Sequence, residues 1–356
     1  MRKTTTLLII CIFLSNILLT GQEKIKKDTF KFVFEGKTRS GLIYFPEDIQ
    51  TETMIIIVPG DGPTNIETGM YQDISSRIIQ MGVACCIWDK AGCGKSEGTY
   101  DDQQTIQNSA NEFLTAIQEL KKLDISGIKN IGLWGISRGG FITPLILKEE
   151  KSIAFWISVS GVDDKDNNTY LLEKNLEIQG WPADSVTLLI SEYREGNRIF
   201  WQGGSYEDYV KATVNTHKDS YCVKLHGEQY SSEEEYLKDQ KRALKMYLFD
   251  DKTASIIIVP GMSDILKNIQ CPVLAIFGEK DSQIDWQKTI TFYKETIGVN
   301  PKSELTIKTF PNCGHVLYKC KTCGLDTEDL KLYNYQPCDG YYETMTIWLK
   351  EHGFIK

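Results

Sequence analysis

The chain has 356 residues, long for one ordinary domain, with 41% hydrophobic and 25% charged residues. That is globular composition, able to bury a sizeable core, and it argues against disorder. The formal net charge of −8 argues against a nucleic-acid partner, whose binders normally carry a basic patch, and gives no reason to expect an anionic membrane surface or a strongly anionic substrate.

The amino terminus reads as an export signal. Arg2 and Lys3 precede an apolar run from Leu7 to Leu19, broken only by Ser15 and Asn16, and Thr20-Gly21-Gln22 follows before a charged stretch. The run is short for a bilayer span, which needs roughly 20 residues. A cleaved signal peptide over 1–21 is therefore expected, with an uncleaved anchor as the alternative. The mature protein is expected to be secreted or periplasmic, without stable membrane insertion. Cys11 lies inside the apolar run and lacks the small residue before it that a lipoprotein would show.

Beyond the leader, Asp28–Glu35 alternates Phe30, Phe32 and Phe34 with polar neighbours, a strand pattern with period two. Gly41–Phe45 reads as its hairpin partner. Met54–Val58 is wholly apolar and ends at Pro59-Gly60, as a buried parallel strand would. Val83–Trp88 is another such run. Gln103–Lys122 places Ile106, Ala110, Phe113, Leu114, Ile117 and Leu120 at helical spacing. Ile131–Trp134 and Ile153–Val159 read as strands flanking a helix over Phe141–Leu147. This alternation predicts a doubly wound, mostly parallel α/β sheet. The segment 162–266 is rich in Glu, Lys, Tyr and Asn and reads as several helices, a cap inserted between core halves 28–161 and 267–356. Strands are expected again at Pro272–Phe277 and Glu304–Phe310, and a last helix over Gly340–His352.

Gly135-Ile136-Ser137-Arg138-Gly139 matches G-x-S-x-G. The pattern alone is weak, because roughly one chain in ten of this length would match by chance. A second match stands at Gly94-Lys95-Ser96-Glu97-Gly98. Context separates them. A nucleophile elbow needs a strand running directly into a tight turn and then a helix. Asn130–Trp134 enters Gly135 and a helix leaves from Gly140, whereas Ser96 stands in loop. Ser137 is the candidate nucleophile. Gly94-Lys95-Ser96 also has the ending of a phosphate-binding loop, but the first glycine of that motif would fall at position 89, which is Asp89.

Serine needs a base. Of four histidines, His217 and His226 fall in the expected cap and His352 near the chain end. His315 follows a strand through Pro311-Asn312-Cys313-Gly314, a loop suited to holding a ring over a sheet edge. For the carboxylate that orients the base, Asp281 follows the strand ending at Phe277, with Asp285 and Glu279 as neighbouring alternatives. The order Ser, Asp, His is that expected of the fold.

These segments together resemble the α/β-hydrolases of the capped esterase, acylaminopeptidase-like and dienelactone hydrolase-like kind. The resemblance runs from Phe30 to Trp348 outside the cap and rests on Val58–Gly62, Asp89–Gly98, Gly135–Gly140, Pro272–Asp281 and Pro311–His315. It implies a serine hydrolase acting on a small acyl substrate through an acyl-enzyme, with no cofactor or metal. It also implies an oxyanion hole from the backbone N–H groups of Asp61 and Arg138. Ester cleavage is expected, with thioester or peptide cleavage, or an inactive binding protein, as alternatives. Two features depart from the family pattern. The Asp61 carboxylate would oppose an oxyanion if it faced one, and an insert over 319–339 follows directly on His315.

Ten cysteines less Cys11 leave nine beyond the leader, an odd number. Cys85 and Cys86 read as buried strand thiols. Cys313, Cys320, Cys323 and Cys338 suit disulfides bracing the histidine loop, in preference to zinc, in an exported chain. Trp181, Tyr193, Trp201, Tyr206 and Tyr209 read either as cap core or as the lining of an acyl pocket. Glu233-Glu234-Glu235 reads as a solvated helix start.

Overall fold

The computed structural model describes residues 25–356 except 48–49, 68, 124, 126, 228 and 326–334. The expected signal peptide lies outside the described residues, as does part of the 319–339 insert. Among the described residues no helix is long and apolar enough to cross a membrane.

An eight-stranded sheet forms the centre, in the order β1 (Ile25–Phe34), β2 (Lys37–Pro46), β4 (Ala84–Trp88), β3 (Thr53–Val58), β5 (Asn130–Ile136), β6 (Phe155–Val159), β9 (Val273–Gly278), β10 (Leu305–Phe310). β1–β2 and β2–β4 pair antiparallel; every other neighbouring pair is parallel. The central strands are apolar on both faces because both faces are covered. In β3, Met54, Ile56 and Val58 join one core cluster while Ile55 and Ile57 join the other, the two-fold alternation of a pleated strand.

The first cluster is closed by α2 (Ile106–Lys122), α3 (Gly139–Glu149) and α10 (Trp286–Thr296), which contribute Phe113, Ile146 and Tyr293 among others. The second is closed by α1 (Gly69–Gln80), through Ile74 and Ile78, and by α11 (Tyr341–Glu351), through Met345 and Trp348. The doubly wound sheet expected from the sequence is present. Helices α1 and α10 were not singled out in the sequence. In α1 the apolar positions are interleaved with Gln72, Asp73 and Arg77, which dilutes the helical signal.

Between β6 and β9 the chain makes α4 (Asn168–Ile178), α5 (Ala183–Trp201), α6 (Tyr206–Ala212), α7 (Ser220–His226) and α8 (Glu233–Met246). Their own small core holds Leu172, Leu176, Val186, Leu189, Ile190 and Cys222. Glu233–Glu235 are exposed in the first turn of α8, behind the Ser232 cap. Two features of this region were not read from the sequence. A short antiparallel hairpin, β7 (Leu248–Asp250) and β8 (Ser255–Ile257), follows α8. Then α9 (Met262–Lys267) buries Met262 and Leu266 in the sheet's first cluster, so it packs with the core although it falls within 162–266.

Candidate active site

Ser137 stands between β5 and α3 with φ of 54°, a left-handed conformation that costs free energy in any residue but glycine. Its flanking glycines make that turn possible. A Cβ at Gly135 would stand 2.8 Å from Thr143 Oγ1, and one at Gly139 would stand 2.6 Å from the carbonyl oxygen of Val58. Ser137 N–H donates to Val159 O at 3.1 Å, and Gly140 N–H donates to Ser137 O at 2.7 Å. The hydroxyl is thereby lifted off the end of the sheet into a cavity of about 340 Å³.

His315 is buried, with Nδ1 2.8 Å from Asp281 Oδ2. Asp281 is held in turn. Its Oδ1 accepts the N–H groups of Gln283 at 2.8 Å and Ile284 at 3.1 Å. The neighbouring carboxylates are engaged elsewhere: Asp285 caps α10 through Lys288 N–H, and Glu279 accepts from Thr309 Oγ1. The structure thus pairs His315 with Asp281 and with neither alternative. Among the described residues no hydrogen bond joins Ser137 Oγ to His315. The link between them runs through the backbone, because Ser160, at the end of β6 beside β5, donates its hydroxyl to His315 O at 2.6 Å.

The remaining histidines lie apart. His217 meets Tyr209 OH at 3.1 Å in the inserted helices. His352 Nδ1 contacts Trp348 O on the terminal helix. The side chain of His226 lies outside what is described. Ser96 is buried and structural, accepting from Ser40 N–H at 2.9 Å and donating to Asp89 O at 2.6 Å.

The loop after β3 lies against Ser137: a Cβ at Gly60 would stand 3.4 Å from Ser137 Cβ. Among the described residues no hydrogen bond uses the backbone N–H of Asp61 or of Arg138, and both residues line the Ser137 cavity. The Asp61 carboxylate lies 4.0 Å from Arg138 Nε and is largely exposed. Its charge is therefore partly offset, and burial holds the guanidinium pKa below its ordinary value. Arg138 itself is anchored by donating to Ser109 Oγ and to Gln104 O. Lys90 Nζ donates to Gly60 O at 2.7 Å and to Gly62 O at 2.6 Å, and Gly60 N–H donates to Tyr71 OH at 2.9 Å.

The cavity wall is mixed. Phe141, Val162, Leu171, Ile256, Ile258 and Ile284 give it an apolar side, and Gln103, Asp166, Asn167, Asn168 and Gln283 a polar one. From the inserted region α4, Tyr247 and β8 contribute to it. Tyr193, Trp201 and Tyr209 instead line a separate cavity among the inserted helices, Trp181 packs on the inserted core, and Tyr206 packs on Tyr236. None of these five aromatics lines the Ser137 cavity.

The described ends of the insert pair with the histidine loop, through bridges of Lys319 with Cys313 and of Pro337 with Tyr318. Cys313 is paired with Cys338 and Cys320 with Cys323. Ser282 donates to Cys323 O at 2.6 Å, and Asn175 of α4 donates to Ser282 O and accepts from Leu325 N–H. One buried asparagine thus ties together the Asp281 loop, the insert and the inserted helices.

Residues 50–185 match the family described as serine aminopeptidase, S33. That stretch takes in Ser137 and stops short of Asp281 and His315. A polyketide transferase of a Penicillium species is 24% identical over 45% of this chain and 53% of its own length. An acyltransferase of Aspergillus calidoustus is 27% identical over 38% of this chain and 46% of its own length. The chain therefore spans about half the length of the curated relatives it matches. In structure, an esterase of Pyrococcus furiosus superposes with a TM-score of 0.52 at 15% identity, covering 92% of this chain and 90% of that one. The Penicillium α/β-hydrolase GrgF superposes with a TM-score of 0.51 at 16% identity, covering 92% and 99%.

The chain has the α/β-hydrolase fold.

In this fold Ser137, Asp281, His315, Asp61 and Arg138, the five residues singled out in the sequence, stand at the carboxyl ends of β3, β5 and β9 or on the loop after β10. Sequence reasoning missed Ser160, Lys90, Tyr71 and Asn175. Each acts through a contact distant in sequence, such as the 155 residues between Ser160 and His315, and no local motif announces it.

Proposed function

We propose that this protein is an exported serine hydrolase that cleaves an ester-type bond through an acyl-enzyme on Ser137. The observation that carries the reading is the buried 2.8 Å contact of His315 Nδ1 with Asp281 Oδ2, beside a serine held at φ of 54° between a strand and a helix. A histidine with Nδ1–H donated to a carboxylate presents Nε2 as a base. Ser137 Oγ attacks the acyl carbonyl as His315 Nε2 takes its proton. The carbonyl oxygen becomes an oxyanion between the N–H groups of Asp61 and Arg138. The intermediate collapses, His315 returns the proton to the leaving alkoxide, and the acyl group stays on Ser137. Water attacks next by the same steps and releases the acid. The Ser137–His315 hydrogen bond closes with substrate, since such bonds are commonly long in unliganded enzymes.

Export rests on the basic and apolar pattern of residues 1–21 and suits the two cysteine pairs. The inserted helices act as a cap that shapes the acyl pocket. A second reading, transfer of the acyl group to an acceptor other than water, is favoured by the names of the two curated relatives, a polyketide transferase and an acyltransferase.

Labelling with a fluorophosphonate probe, comparing the purified protein with Ser137→Ala, tests the proposal. Labelling lost in the mutant supports an activated Ser137. Labelling that persists moves the nucleophile elsewhere, and no labelling of either protein leaves a binding protein. Adding alcohols or amines to p-nitrophenyl ester turnover then separates hydrolysis from transfer, because a transferase diverts the acyl group into a new ester or amide.

A further inference from the structure

Lys90 follows β4 and its neighbour Asp89, yet its side chain turns back to the loop after β3. Its ammonium donates to Gly60 O at 2.7 Å and to Gly62 O at 2.6 Å. Its own backbone N–H donates to Thr64 Oγ1 at 2.7 Å, which pins the lysine to the far end of the same loop. The two carbonyls it holds bracket Asp61. The carbonyl of Gly60 and the N–H of Asp61 belong to one peptide group. There are no cis peptide bonds among the described residues, so the two point in opposite directions across that group. A cation bonded to the oxygen therefore fixes the N–H on the opposite side of that peptide, in a loop that lines the Ser137 cavity, and draws electron density from it, which strengthens that N–H as a donor.

Resting on the acyl-transfer reading above, we infer that Lys90 is a positioning residue for the oxyanion hole, its ammonium group fixing and polarising the Gly60–Asp61 peptide whose N–H receives the developing negative charge.

The surroundings leave Lys90 no stronger partner. Lys90, Glu112 and Arg138 line one small enclosed space with Pro59, Trp88 and Ile142. Glu112 on α2 is already committed to Arg39 and to Trp88 Nε1. Asp61 lies on the solvent side against Arg138, Asp89 accepts from the backbone N–H groups of Ile66 and Lys95, and Cys93 is a buried thiol on the following turn. Burial and the Arg138 guanidinium push the Lys90 pKa down to about 8, against the weaker pull of Asp61, Cys93 and Glu112. The sign for activity follows. Below that pH the ammonium polarises the peptide; above it the charge is lost and turnover falls. The sign for stability is the reverse. Between about 8 and the ordinary lysine value the folded state binds fewer protons at this group than the unfolded one, so its contribution to stability rises with pH. Loss of turnover on that limb is therefore not unfolding driven by Lys90.

The test measures p-nitrophenyl ester turnover from neutral to alkaline pH, with fluorophosphonate labelling rate and thermal midpoint alongside, for wild type, Lys90→Met and Lys90→Arg. An oxyanion donor is worth roughly 100- to 1,000-fold in kcat, and loosening one without deleting it is expected to cost roughly 10- to 100-fold. Lys90→Met should lose that factor in kcat and in labelling rate, with KM little changed. A trifluoromethyl ketone, which forms a tetrahedral oxyanion on the serine, should lose affinity in the same proportion. Lys90→Arg keeps a charge that does not titrate, so it should retain activity beyond the pH at which wild type declines. Wild-type kcat in Lys90→Met, or an alkaline limb that Lys90→Arg leaves in place, overturns the inference. If Lys90→Met does not fold, the Lys90→Arg limb decides alone. A wild-type protein with neither turnover nor labelling overturns the acyl-transfer reading and this inference with it, whereas an active wild type with indifferent variants overturns only this one.

Discussion

Ser160 donates its hydroxyl to the backbone carbonyl of His315 at 2.6 Å. Ser160 is fully buried, has φ of 44°, and donates its own N–H to Ile276 O at 2.8 Å. The histidine loop is thus registered on the strands beside the one that ends in Ser137. Ser160→Ala should leave a buried carbonyl without that donor, at a cost of about 1–3 kcal/mol. Urea unfolding should show that loss, and kcat should fall with it as the ring loses its seat. Unchanged kcat in a destabilised protein would show that the ring is positioned by Asp281 alone.

Asp281→Asn should keep the fold and remove the activity. An asparagine oxygen can still accept the backbone N–H groups of Gln283 and Ile284. Its amide nitrogen then faces His315 Nδ1 as a donor and forces the ring proton onto Nε2, where the base is needed. The equivalent change in a serine protease lowers kcat by roughly 10⁴-fold, and a loss of that order with little change in thermal midpoint is expected here. A loss under tenfold would argue that His315 is not the base.

The Cys313–Cys338 pair closes a loop of 25 residues of sequence separation that contains His315. Chain-entropy reasoning gives such a cross-link about 3.5 kcal/mol. Cys313→Ser/Cys338→Ser should lower the thermal midpoint and reduce kcat, because the loop that carries His315 loses its covalent anchor. Reductant should do the same to wild type and nothing further to the double mutant. If reductant harms both equally, the Cys320–Cys323 pair carries the effect.

The sheet was legible because its strands are short apolar runs ending in Pro, Gly or Asp, as at Val58-Pro59-Gly60 and Trp88-Asp89. Ser137 was legible because strand, turn and helix occur in unbroken order around it. Asp281 could be separated from Asp285 and Glu279 only by geometry, since all three follow β9 within a few residues and only hydrogen-bond partners distinguish a cap from a triad member. The cap aromatics were ambiguous for a related reason. Bulky aromatics such as Tyr193, Trp201 and Tyr209 call for an interior, but residue type does not say which one. The hairpin β7–β8 escaped because three-residue strands carry too few alternations to register.

Arg39 and Glu112 form an ion pair at 2.9 Å with side chains only 4% and 6% exposed. Glu112 also accepts from Trp88 Nε1 at 3.0 Å, so a single carboxylate links β2, β4 and α2 behind the loop that holds Lys90. Neither member can lose its partner cheaply. Arg39→Leu leaves a buried carboxylate with one neutral donor. Glu112→Leu leaves a buried guanidinium that already has one nitrogen, Nη1, without a hydrogen bond. Each single change should cost roughly 3–5 kcal/mol. Replacing both by leucine removes the two charges together, and buried pairs so replaced are often neutral in stability. The double mutant should therefore be more stable than either single one, as read by urea midpoints. Additive losses would mean instead that solvent reaches the pair and that its members act independently.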